Sequence, residues 1–163
     1  MIGMCSDIHD NIWALERAIP LLAPAQVVVF CGDFCAPFTL GQLAEGVSPR
    51  PLHVIWGNND GDRHALTRVA GAFDHVHLHG EFARLELLGQ QVLATHYPDV
   101  ARHLVQGSTA DIVCYGHDHI AHEERVGETL LVNPGEVMGR LGHRTIALIE
   151  PSQANQVEFV EFD

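Results

Sequence analysis

The sequence predicts an α/β fold in which two mixed β-sheets stack as a sandwich flanked by helices, in one domain over residues 1–163. Three observations predict it. In the first half, short apolar runs alternate with helical periodicity, which implies parallel strands joined by right-handed crossovers. The second half turns to near-alternating segments separated by tight turns, the pattern of antiparallel hairpins. No repeat, low-complexity tract or linker divides the 163 residues, a length that suits one domain.

Ile2 to Ser6 is an apolar run that ends at Asp7, and Trp13, Leu15, Ala18, Ile19 and Leu22 then recur at helical spacing up to Pro24. Asp10 and Asn11 stand where this helix begins, so one of them is expected to cap it. Gln26 to Cys31 is a β-branched run without polar interruption, as in a strand buried on both faces. Phe38 to Ala44 reads as a short helix, Leu52 to Trp56 as a strand and Asp60 to Val69 as a third helix. His75 to His79 and Phe82 to Leu87 alternate, Gly89-Gln90 makes a turn, and Gln91 to Thr95 returns as a strand. Asp99 to Val105 is expected to be helical; Asp111 to Tyr115, Thr129 to Asn133, Arg144 to Glu150 and Gln156 to Phe162 are expected strands. Trp13 and Trp56 are assigned to the core.

Composition narrows the chemistry. Hydrophobic types make up 47% of the chain, a globular profile. All 9 basic residues are arginine, which excludes a P-loop lysine, a kinase strand lysine and a Schiff-base lysine. A formal charge of −12 without an arginine block argues against nonspecific DNA binding. Cys5, Cys31, Cys35 and Cys114 form no CxxC pair and read as free thiols. With no leader-like start and no apolar stretch long enough for a membrane span, a soluble, cytoplasmic protein is expected, and its apolar content is compatible with a homodimer.

Histidine is the unusual entry, at 12 residues. Polar residues of ligand type end five of the expected strands: Asp7 and His9 as D-x-H, Asp33 as G-D, Asn58 as G-N, His96, and His117 with His119 as G-H-x-H. Strand carboxyl ends in an open α/β sheet line one crevice, so these residues converge. Two aspartates, an asparagine and four imidazoles suit borderline transition metals better than calcium. Seven ligands exceed the needs of one tetrahedral ion, whereas two ions sharing a carboxylate have four each. Such a pair activates a bridging water and clamps a phosphoryl group. It also gives an acidic protein the positive charge that attracts an anionic ester.

D-x-H, G-D, G-N-N-D, T-H and G-H-D-H in this order resemble the calcineurin-like metallophosphoesterases. The opening Cys5-Ser6-Asp7-Ile8-His9-Asp10-Asn11 is similar to their small single-domain branch, which holds bacterial and archaeal phosphodiesterases and the retromer scaffold subunit. The resemblance covers Met1 to about Arg140 and implies a phosphodiesterase with a metal-bridging hydroxide for in-line attack on a small phosphoester. It implies two divalent ions, manganese first, with Ni²⁺, Fe²⁺, Co²⁺, Zn²⁺ or Mg²⁺ as the other candidates. Asp7, His9 and His119 would hold the first ion, Asn58, His96 and His117 the second, and Asp33 both. Asp33, Asn58 and His96 are the residues expected to carry catalysis, with Asn58 also touching the phosphate and Asn133-Pro134-Gly135 beside the site.

Three departures from the family pattern stand out. Asn59 occupies the position where many relatives have a general-acid histidine, Tyr97-Pro98 follows His96 in place of glycine and histidine, and Glu136 replaces a serine after Asn-Pro-Gly. Glu136 is expected to put negative charge beside the substrate path, and Tyr97 to narrow the pocket mouth. Asp60 is expected to cap a helix or orient a ligand. His75, His77 and His79 are read as a solvated edge-strand face, and His53 as a surface or capping residue. The alternative function is a non-catalytic interaction or regulatory module on the same fold, against which the complete ligand set argues.

Overall fold

The computed structural model describes residues 1–163. Its elements run β1 (Ile2–Cys5), α1 (Ile12–Leu21), β2 (Val27–Phe30), α2 (Pro37–Val47), β3 (Leu52–Val54), α3 (Arg63–Ala70), β4 (Val76–Leu78), β5 (Phe82–Leu87), β6 (Gln90–Thr95), α4 (Pro98–Gly107), β7 (Ile112–Cys114), β8 (Ala121–Val126), β9 (Thr129–Pro134), β10 (Arg144–Glu150) and β11 (Gln156–Phe162). One sheet has the order β11-β10-β1-β2-β3-β4 and the other β5-β6-β7-β9-β8. Both are mixed. β1 to β4 are parallel, with β10 and β11 added antiparallel, while β6, β7 and β9 are parallel between the antiparallel edges β5 and β8.

Side-chain alternation along the strands builds the layers. Ile2, Met4, Val27 and Val29 face one way and meet Val92, Ala94, Ile112, Cys114, Leu130 and Val132 between the sheets. Their neighbours Val28, Phe30, Leu52 and Val54 face the other way and pack under α1, α2 and α3. α4 covers the second sheet through Ala101 and Val105 on Leu93, Val113 and Leu131. A continuous β-branched strand such as β2 is thus explained by burial on both faces.

Register positions the site. Cys5 lies opposite Phe30 and Phe30 opposite Val54; Ala94 lies opposite Cys114 and Cys114 opposite Val132. The residues just beyond these strands therefore emerge at one end of both sheets.

Some expectations are corrected. Trp13 is 68% exposed, because α1 buries Ala14, Leu15 and Ala18 and the helical stripe is phased one residue later than Trp13 requires. α3 starts at Arg63 with Asp62 as its cap, since Asp60 is engaged elsewhere. Asn11 is the residue that caps α1, accepting from Ala14 N–H at 3.1 Å. β8 is an additional strand. Its residues are mostly exposed and charged, which suits an edge that must resist pairing with other chains.

Candidate metal centre

All seven ligand-type residues lie at this common end of the sheets. Five of them, Asp7, His9, Asp33, His117 and His119, have φ between 44° and 78°, a left-handed conformation that is uncommon outside glycine. Backbone strain of this kind persists only where surrounding structure enforces it, and it clusters at functional sites. Gly57 shows how tight the enforcement is. A Cβ there would lie 2.5 Å from the Asp33 backbone nitrogen and 2.7 Å from its carboxyl carbon.

The side chains fall into two groups. In the first, His9 Nε2 is 3.7 Å from Asp7 Oδ1, and His119 Nε2 is 3.5 Å from the same oxygen. These separations are too long for hydrogen bonds, and Asp7 Oδ1 and His9 Nε2 are buried without any partner. Two donors bound to one ion at about 2.1 Å stand about 3.4 Å apart. In the second group, Asn58 Oδ1 is 3.1 Å from His96 Nε2 and 2.9 Å from His117 Nδ1, and the two imidazole nitrogens are 3.2 Å apart. Asp33 Oδ2 belongs to both, at 3.5 Å from His9 Nε2 and 3.4 Å from His96 Nε2. Oxygen and nitrogen donors converging on two points, with Asp7 Oδ1 and His9 Nε2 buried and orphaned at the first, fit divalent metal ions.

The remaining atoms of these side chains are held from behind. His96 Nδ1 lies 2.7 Å from the Cys31 carbonyl oxygen, so its N–H donates there and the Nε2 lone pair faces the site. Asp7 Oδ2 accepts from His117 N–H at 3.0 Å, leaving Oδ1 free. Burial alone would raise the Asp33 carboxyl, but His96 and Asn59 outweigh it and hold the group well below the usual carboxylate range. His9 is raised by its contact with Asp7, against the opposing effect of burial. At His96, burial lowers affinity for the proton and Asp33 more than restores it. The pocket thus favours positive charge, as a cation site must.

Three supporting residues were not assigned these roles by sequence reasoning. Asn59 donates from its backbone N–H to Asp33 Oδ1 at 2.8 Å and from Nδ2 to Asp33 Oδ2 at 2.7 Å. Glu136 is fully buried, so it does not line a substrate path as expected. Its Oε2 accepts from His119 Nδ1 at 2.6 Å and its Oε1 from Leu141 N–H at 2.5 Å. This carboxylate fixes the His119 tautomer and raises its donor strength. Glu136→Gln has only one acceptor oxygen for those two donors, and should weaken Mn²⁺ binding by about 10- to 100-fold, measured by calorimetry. Asn133 bonds the Gly116 carbonyl and Asp118 through Nδ2 and accepts from Gly135 N–H, which ties the Asn-Pro-Gly turn to the G-H-D-H loop. Its turn motif was the available signal.

Asp60 proves to be an organising residue and not a helix cap. Buried at 2% exposure, it accepts from Asp33 and Gly57 N–H on Oδ2 and from Phe34 and Cys35 N–H on Oδ1. It therefore locks the G-D loop to the G-N loop. Tyr97 packs its ring against His96 at 5.3 Å and His117 at 5.8 Å, forming a wall beside the second group. Beside the first group, a cavity of about 230 Å³ is lined by His119, Ile120, Ala121, Leu141, His143 and Thr145. No helix is long and apolar enough to cross a membrane.

Comparison with known proteins agrees with this geometry. Residues 1–154 match the model of the calcineurin-like phosphoesterase superfamily domain. Phosphodiesterase MJ0936 of Methanocaldococcus jannaschii is 29% identical over 164 residues, covering 98% of each chain. A solved archaeal phosphodiesterase superposes with a TM-score of 0.89 at 26% identity, covering 99% of both chains. A Vps29 variant from Entamoeba histolytica shares the fold, with a TM-score of 0.68 at 16% identity and 99% coverage of each. The chain thus belongs to the calcineurin-like phosphoesterase superfamily and is a metal-dependent phosphoesterase.

Proposed function

We propose that this chain is a dinuclear phosphodiesterase of one domain, acting on a small phosphoester. Asp7, His9 and His119 hold one divalent ion, Asn58, His96 and His117 the other, and Asp33 both. The observation that carries the reading is the pair of convergent donor groups that share Asp33 Oδ2. When bound, the ions supply an activated water and the positive charge that offsets the phosphoryl oxygens. The protein's part is position. Asn58 directs its oxygen toward His96 and His117, which leaves its NH₂ free to donate to a phosphoryl oxygen at the exposed mouth. Asn59 and Glu136 hold Asp33 and His119 in orientation, so that little rearrangement accompanies the reaction.

Manganese is the first candidate for both positions, and Mn²⁺ titration of the chelated protein should give two equivalents per chain. A single equivalent would exclude the dinuclear reading. Two bound ions without hydrolysis of any diester would favour a docking or regulatory role on this fold instead.

The same site sets a substrate preference. Asn59 spends its amide on Asp33 and has no proton to give a departing alkoxide. General-acid assistance contributes about 10²- to 10⁴-fold, so aryl diesters, whose leaving groups need none, are expected to be cleaved faster than alkyl diesters by that order. Ile120 and Leu141 beside His119 offer apolar surface to an aryl group. Equal rates on the two classes would refute this.

A further inference from the structure

The cavity of about 230 Å³ beside His119 has mostly apolar walls, although three of its six lining residues carry polar groups. Thr145 Oγ1 donates to the Pro134 carbonyl at 2.7 Å, and His119 Nδ1 to Glu136 at 2.6 Å. His143 is exposed, with its Nδ1 2.9 Å from Glu161. None of these partners lines the cavity, so these polar atoms are engaged outside it. Ile120, Ala121 and Leu141 supply the rest of the surface. Ile120 and Leu141 are 57% and 54% exposed. Single exposed apolar residues need no explanation, but two that line one cavity with a ligand-type histidine have the composition of a binding site.

The wall of the cavity is fixed relative to the first donor group. Glu136 accepts from His119 Nδ1 on one oxygen and from the Leu141 N–H on the other, so one buried carboxylate sets both the histidine and the wall. The volume is below the roughly 300–1,000 Å³ of pockets that enclose a whole drug-sized ligand; it suits one ring-sized group of a larger molecule. Which group follows from where the cavity lies. Of the seven ligand-type residues only His119 lines it, so it sits to one side of the paired donor groups and not over the Asp33 oxygen that they share. In-line displacement puts the entering and leaving oxygens on one axis through phosphorus and the other three substituents across that axis. When water enters from between the donor groups, the leaving oxygen departs away from them, and an ester group to one side is the one that the reaction retains.

We infer that this cavity binds the retained ester group, and that the substrate class is a phosphodiester in which that group is an apolar ring. The inference rests on the dinuclear reading above and adds which of the two esters is recognised. Ile120 and Leu141 are its specificity-determining residues. A monoester carries a charged oxygen where the ring would sit, and apolar walls offer that charge no partner, so the cavity also favours diesters over monoesters.

The test compares nitrophenyl phenyl phosphate with nitrophenyl methyl phosphate, which share a leaving group, on the Mn²⁺-loaded full chain. One methylene in an apolar pocket is worth about 10- to 200-fold, so KM for the phenyl ester is expected to be lower by about tenfold or more. Calorimetric binding of the uncleaved analogues methyl phenylphosphonate and methyl methylphosphonate should show the same preference without turnover. Ile120→Ser and Leu141→Ser, both at exposed positions and checked by thermal unfolding, should each bring both ratios toward one. Leu88→Ser, at an exposed apolar residue outside the cavity, should not. Equal KM values and equal analogue affinities in the wild type, or a preference that both folded variants keep, would overturn the assignment and leave the phosphodiesterase reading intact. An analogue preference that the variants lose, with neither ester hydrolysed, would uphold the cavity and count against the phosphodiesterase reading instead.

Discussion

Asp33→Ala is expected to lower Mn²⁺-dependent hydrolysis of an aryl phosphodiester by about 10⁴-fold, the scale seen when a central member of a catalytic unit is removed. Its Oδ2 is the one atom within 3.5 Å of donors from both groups, His9 Nε2 and His96 Nε2. In the proposed arrangement, deleting it takes a ligand from each position at once, and Asn59 loses the partner of both its N–H and its Nδ2. His9→Ala or His117→Ala touches only one group and should cost less. The comparison is made on kcat at saturating Mn²⁺. An Asp33→Ala protein that keeps a tenth of the wild-type rate would show that the carboxylate is not shared.

Asp60→Ala is expected to have the largest effect on stability. Four backbone N–H groups depend on this one carboxylate, those of Asp33, Phe34 and Gly57 buried and that of Cys35 partly buried. Each buried donor left unpaired costs about 1–3 kcal/mol, so the sum is about 4 kcal/mol or more, against a total stability of about 5–15 kcal/mol for a typical domain. Asp60→Asn keeps one oxygen and two of the four bonds, and should fall between. Urea unfolding gives the order wild type, Asn, Ala. An alanine variant within about 1 kcal/mol of wild type would mean that the two loops are held by something else. Because Asp60 fixes the backbone of Asp33, Mn²⁺ affinity is expected to fall in the same order.

The strand ends carried most of the legible information. β1, β2, β3, β6 and β7 announce themselves by apolar runs, and each is followed within a few residues by a ligand-type side chain, so topology alone gathers the seven. β8 was invisible because its Ala-His-Glu-Glu-Arg-Val stretch has no apolar stripe; only its pairing with β9 makes it a strand. Trp13 misled because aromatic size suggests burial, while the phase of α1 places its neighbours Ala14 and Leu15 inward. Glu136 was misread for a different reason. Its sequence position places it near the site, but whether it points to solvent or beneath His119 depends on the turn at Gly135 and on the Leu141 N–H that donates to its second oxygen. Asn59 and His53 belong to the same class: their partners, Asp33 and His79, are each 26 residues away, and no local pattern reports such a contact.

The central claim is that this chain cleaves phosphodiesters through two ions held by a shared carboxylate. Its most direct test is hydrolysis of a chromogenic aryl diester by the chelated protein, before and after Mn²⁺ is restored, with Asp33→Ala and Asn58→Ala measured beside it. The account predicts no turnover after chelation, recovery with Mn²⁺ and loss in both variants. Turnover that survives chelation, or that either variant retains in full, would contradict it.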